Sequence, residues 1–343
     1  MKSVPKILVA LALAATLAGC ASAAKRGAAA APAPAPRKPP APAAIHNQAI
    51  GSHSPYAITS GADGNIWYTE YQGDGVGRIT PKGSIARYKI DSRGFAERIV
   101  AGPDGAMWFT DPADNRVGRL DYNERVTYVR LPKEDSGPTG ITTGPDGNLW
   151  FTEHSGNRIA RLSPHGMLRE FDLPHGSGPA QIVTGRDGNL WFVEDRGNRI
   201  GKATPKGRIT EYAVQTPNAK PGWLAAGSDG NVWFTELAAD KVGKITPGGA
   251  ITEYPLPDSG VPLSIASGAD GNLWVTMAHA PIIYRITPVG VITAFHLRRG
   301  VIPGFITAGP DGNLWFSEPN GRIGRMTTDG QITEFTVARI DQG

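Results

Sequence analysis

Seven tryptophans set the frame of this chain. Trp67, Trp108, Trp150, Trp191, Trp233, Trp274 and Trp315 follow one another at intervals of 41 or 42 residues, and only Trp223 falls outside the series. Each sits in the same phrase. The first repeat reads I-T-S-G-A-D-G-N-I-W-Y-T-E from Ile58 to Glu70, and the third reads I-T-T-G-P-D-G-N-L-W-F-T-E from Ile141 to Glu153. A fixed period of about forty residues is the signature of repeated units that bury their apolar faces only against neighbours.

Each repeat divides into four short strands. In the first these are Ile58–Ser60, Asn65–Glu70, Val76–Thr80 and Ser84–Tyr88. An Asp-Gly pair separates the first two strands in all seven repeats, from Asp63-Gly64 to Asp311-Gly312. Asp-Gly between apolar runs signals a tight hairpin, because both residues tolerate positive φ. The paired aromatics then decide the architecture. Adjacent strand positions face opposite sides of a sheet, so burying both Trp and Phe needs a covering sheet on each side. The expected fold is all-β: a seven-bladed β-propeller of four-stranded antiparallel blades. The last repeat holds all four of its strands. Ile45–Ile50 is a candidate for a strand lent to it, so the mode of ring closure stays open.

Two residue rings should meet at the end of the channel opposite the Asp-Gly turns. The first closes the Trp-Phe-Thr-Glu phrase: Glu70, Asp111, Glu153, Glu194, Glu236, Met277 and Glu318. These acids either pair with the recurrent third-strand bases (Arg78, Arg119, Arg161, Lys202, Lys244, Arg285, Arg325) or hold a hard cation such as Mg²⁺, which takes oxygen ligands. The second ring precedes each first strand and varies from repeat to repeat. Tyr56, Glu97, Arg98, Gln181, Trp223 and Phe305 are its candidate ligand-binding residues. His154 and His279 follow second strands, and a histidine beside a carboxylate can serve as a general base.

The phrases W-F-T-E and G-x-I-T-E-F, with L-W-F-T-E at 149–153, L-W-F-V-E at 190–194 and I-T-E-Y-P-L-P at 251–257, resemble the streptogramin lyases, the virginiamycin B lyase family. The resemblance covers residues 54–337. It implies a seven-bladed propeller that linearises a cyclic depsipeptide by elimination at its ester, with a histidine base and a Mg²⁺ held by glutamates. The family histidine follows a proline in the lead-in to a first strand. Here those phrases are Pro262-Leu263-Ser264-Ile265 and Pro303-Gly304-Phe305-Ile306, without histidine. Of the family's metal-side glutamates, Glu318 has a matching position, and Val261 and Ile302 stand where another would precede the proline. Glu318, Glu70 and Glu236 are the candidate metal ligands, and His279 or His154 would have to replace the base.

The amino-terminal residues read as a sorting signal. Lys2 and Lys6 precede an apolar run, Ile7 to Leu17, too short to span a bilayer. Leu17-Ala18-Gly19-Cys20 resembles a bacterial lipobox, which implies a signal peptide over 1–19 and acylation of Cys20, the single cysteine. Residues 20–44 form an Ala/Pro-rich tether expected to favour polyproline II, and 45–343 the propeller. Ala21 after the cysteine implies an outer-membrane lipoprotein facing the periplasm. The chain carries 35 basic and 31 acidic residues. Six of the bases and none of the acids lie before residue 45, which leaves the propeller at −2 and argues against a nucleic-acid partner. Two functions remain open on sequence: a monomeric module binding a small molecule, peptide or envelope protein at the channel end, or a Mg²⁺-dependent lyase or ester-cleaving enzyme.

Overall fold

The Asp-Gly hairpins form as their sequence requires. A computed structural model describes residues 54–71 and 73–337. The signal segment, Cys20, the tether and Ile45–Ile50 lie outside the described residues. In the first blade β1 (Ser54–Ser60), β2 (Ile66–Tyr71), β3 (Gly75–Ile79) and β4 (Ile85–Lys89) pair antiparallel in sequence order. Six further sheets repeat this order, so the fold is a seven-bladed β-propeller. The turn glycines from Gly64 to Gly312 hold φ between 69° and 80°, a region costly for residues with a Cβ.

The aspartate of each turn has a second duty. It accepts the indole N–H of the tryptophan four residues on, at 3.0–3.3 Å in all seven blades. The indole then packs against the next blade: Trp67 with Phe109, Trp108 with Phe151, Trp150 with Phe192, Trp191 with Phe234. Trp315 meets Tyr68 of the first blade, which closes the ring. Hydroxyls add bonds between neighbouring first strands, as in Thr184 Oγ1 to the Thr143 carbonyl at 2.7 Å. The same bond crosses the closing seam, from Ser60 Oγ to the Ala308 carbonyl. Among the described residues each blade supplies its own four strands, and the first and last blades join by side-to-side packing.

The third-strand bases are corrected from the expected pairing. Five of the seven reach the turn aspartates rather than the acids of the first ring, among them Arg119 to Asp104 at 2.7 Å, Lys202 to Asp187 at 2.9 Å and Arg161 to Asp146 at 3.7 Å, while Lys244 donates to the Pro288 carbonyl at 3.2 Å. Cross-strand register is the cause. Trp108 pairs with Arg119, so this base lies level with the indole and three residues from the acid.

Candidate functional site at the channel mouth

The first strands do not run straight to the mouth. Their ladders are interrupted between Pro55 and Ile58, Pro179 and Ile182, Pro221 and Leu224, and Pro262 and Ser264. Such a bulge leaves a backbone N–H without its ladder partner and re-aims the side chains. The threonine of Trp-Phe-Thr-Glu supplies the missing acceptor. Arg98 N–H donates to Thr110 Oγ1 at 3.2 Å, Gly140 to Thr152 at 2.9 Å, Trp223 to Thr235 at 3.0 Å and Ser264 to Thr276 at 3.2 Å. In the last blade Ser317 does the same for Phe305 at 3.0 Å. Sequence reasoning passed over this hydroxyl, although its recurrence beside the glutamate was in view.

The bulges turn the variable ring toward the axis. Arg98 comes from the second blade and Trp223 from the fifth, as far apart as a seven-membered ring allows, yet their side chains meet. The Arg98 guanidinium carbon stands 4.3 Å from the Trp223 ring centroid, 4.8 Å from Phe305 and 5.1 Å from Tyr56. Each such contact contributes roughly 0.5–2 kcal/mol. Phe305 lies edge-on to both Tyr56 and Trp223, with centroids 4.7 Å apart in each case. Tyr71 and Phe95 extend the aromatic wall outward from Tyr56. Glu97 backs the arginine: its carbonyl accepts from Arg98 Nη1 at 2.8 Å, and its carboxylate stands 3.7 Å from Nη2. Beneath this group lies a cavity of about 330 Å³ lined by all seven first strands. Arg98 is the one charged residue among those lining it, and Gln181 the one amide. The structure thus brings Tyr56, Arg98, Trp223 and Phe305 into contact, with Gln181 in the same cavity and Glu97 behind.

The carboxylate ring has a different character. Asp111, Glu153 and Glu194 bond to Arg116, Arg158 and Arg199 at 2.8–2.9 Å, each base lying directly opposite its acid in the ladder. In the first blade that base position is Gly75, and Arg87 of β4 reaches Glu70 at 2.9 Å through the space a side chain would fill. In the sixth blade both partners are replaced together, by Met277 and Ile282. Glu236 and Glu318 stand apart. Their ladder-opposite bases turn outward, Lys241 to Glu253 at 2.9 Å and Arg322 to Glu334 at 3.4 Å. Both carboxyls are fully buried, with neither oxygen hydrogen-bonded. Burial first, and the nearby Glu253 or Glu334 second, push each up to about 7.

A shared Mg²⁺ does not fit this donor set. Glu70 is engaged by Arg87, while Glu236 and Glu318 belong to blades separated by the sixth. Among the described residues no three His, Cys, Asp or Glu side chains come together as a metal-binding group. The histidines also lie off the cavity. His154 Nε2 sits 3.3 Å from both carboxylate oxygens of Asp195, and His279 is exposed on a turn with its backbone N–H on the Gly260 carbonyl.

Comparison with known proteins agrees with the blade count and the phrases. The profile described as the virginiamycin B lyase family matches residues 44–178 and 143–342. The chain belongs to the virginiamycin B lyase family. A solved streptogramin B lyase shares 35% identity over 84% of this chain and 96% of its own, with a TM-score of 0.78. Virginiamycin B lyase from Staphylococcus aureus shares 36% identity over 80% of this chain and 95% of its own, with a TM-score of 0.77. A catalytically inactive histidine-to-alanine form of that enzyme, solved with quinupristin, matches at 36% over 82% of this chain and 97% of its own, at the same TM-score of 0.77. The extracellular domain of a two-component system from B. thetaiotaomicron shares the fold at 16% identity and a TM-score of 0.64. No match was found among curated proteins.

Proposed function

We propose that this member of the family is a ligand-binding propeller, taking a small molecule or peptide at the channel mouth, and that it does not open streptogramins. One observation carries the reading. Where the family resemblance places a histidine base, this chain has Leu263 and Gly304, and the following Phe305 packs against Arg98 instead. Loss of an essential base costs orders of magnitude in rate, while the mouth keeps an aromatic wall suited to binding. Titrating small molecules and peptides against tryptophan fluorescence, with Trp223 as reporter, tests the reading. Saturable quenching that disappears in Tyr56→Ala supports it. A mouth that quenches with nothing, beside crosslinking that recovers no envelope protein, overturns it.

The family's own reaction is the second reading, favoured by identity of about one third to solved lyases. Incubation with a streptogramin B and Mg²⁺, followed by mass spectrometry, decides between them. An opened ring of unchanged mass establishes the lyase, and a gain of one water a hydrolase. We also propose that acylated Cys20 anchors the protein in the outer membrane, facing the periplasm. Labelled palmitate should enter the parent chain and not Cys20→Ala.

A further inference from the structure

The channel mouth carries a more specific instruction about its ligand. We propose that it recognises a free carboxylate on an acylated amino acid or a peptide C-terminus, bound through Arg98 and Gln181; this rests on the mouth being a ligand site. Arg98 is the one charged residue among those lining the cavity, and it is a cation. The one hydrogen bond of its guanidinium among the described residues runs from Nη1 to the Glu97 carbonyl. The other guanidinium donors are left for a ligand, held in a plane by three aromatic rings. A planar fork of donors matches a carboxylate. Nearby rings exclude water, which strengthens that bond relative to one in solvent.

Gln181 supplies the second half. Its Oε1 is buried without a hydrogen-bond partner, and the residue lines the same cavity. A buried acceptor left unpaired is costly, and a ligand N–H would satisfy it. An oxyanion with an N–H one carbon away is the end of a peptide or an N-acyl amino acid. Its side chain would rest on the wall of Tyr56, Tyr71 and Phe95. Glu97 tunes the site, since its carboxylate stands 3.7 Å from Arg98 Nη2 and competes for the same charge.

Calorimetric titration of the full chain with N-acetyl-L-phenylalanine and with its neutral amide tests this. The acid should bind about tenfold or more tighter than the amide, as a charge-assisted hydrogen bond implies. Arg98→Met should erase the difference. Should that variant misfold for want of its ring contacts, Glu97→Gln gives an independent reading: acid affinity rises several-fold and amide affinity stays unchanged. Gln181→Leu should weaken both probes alike. Equal binding of acid and amide, no binding of either, or an unresponsive Glu97→Gln overturns the assignment. Equal binding that Tyr56→Ala abolishes would leave the mouth a ligand site and remove the carboxylate alone.

Discussion

In five blades the aromatic after the tryptophan lies opposite a third-strand glycine, while the third blade places Ala160 opposite Phe151. Phe109, Phe192, Phe234 and Phe316 each lie opposite a glycine, and a Cβ at Gly118, Gly201, Gly243 or Gly324 would fall inside the ring. The sixth blade puts the large residue on the third strand instead, with Val275 opposite Tyr284 and both fully buried. Gly243→Ala should therefore destabilise by about 1–3 kcal/mol through overpacking. Phe234→Val in the same chain should return part of that loss, giving a favourable coupling in a denaturant double-mutant cycle. Strict additivity would contradict the packing account.

Glu236 and Glu318 yield a pH prediction. Their folded carboxyls hold protons up to about 7, against 4.5 for a free glutamate. Between those values the folded chain binds more protons than the unfolded one, so these acids lower stability as pH rises through that window. Each contributes a loss of about 1.4 kcal/mol per pH unit there. Glu236→Gln with Glu318→Gln should gain stability over the parent chain on going from pH 5 to pH 7.5. A gap independent of pH would show that neither carboxyl is protonated in the folded state.

At the scale of the strand, the bulge makes the site. Thr235 holds the Trp223 N–H at 3.0 Å, so Thr235→Val leaves a half-buried donor without this partner at a cost of about 1 kcal/mol. Valine itself fits, since Val193 occupies the matching place in the fourth blade. The variant should fold with a lower melting temperature and bind a mouth ligand several-fold less tightly, measured by calorimetry. Unchanged affinity would mean that Trp223 is positioned by its ring contacts alone.

The sequence could foretell the strands and the ring of variable residues, because alternation and Asp-Gly turns are local. The partners of the acids needed register as well. Arg119 and Arg116 both follow Asp111 within one hairpin, and only the pairing of Asp111 with Arg116 shows which base is opposite. The meeting of Arg98 with Trp223 was less visible still. Nothing local says that residues 125 positions apart reach across one axis.

Ring closure is the question that belongs to the whole molecule. Propellers that borrow a strand from the other end of the chain are latched by backbone hydrogen bonds. Here the seventh blade runs from Ile306 to Thr336 with four consecutive strands, and β1 is the complete inner strand of the first. The closing seam uses the same devices as the other six: Trp315 against Tyr68, the Ser60 hydroxyl on Ala308, and Arg325 Nη1 on the Pro81 carbonyl at 3.0 Å. A chain cut to residues 54–337 should then melt within a few degrees of the full protein. Trp315→Ala should cost about 3–5 kcal/mol, as a large buried aromatic does, and the matching Trp150→Ala about the same. A marked loss on trimming would place a latch before Ser54. A closing seam far weaker than its neighbours would show instead that the ring opens there first, and would make the aromatic wall of Tyr56 and Phe305, built across that seam, the part of the mouth most easily undone.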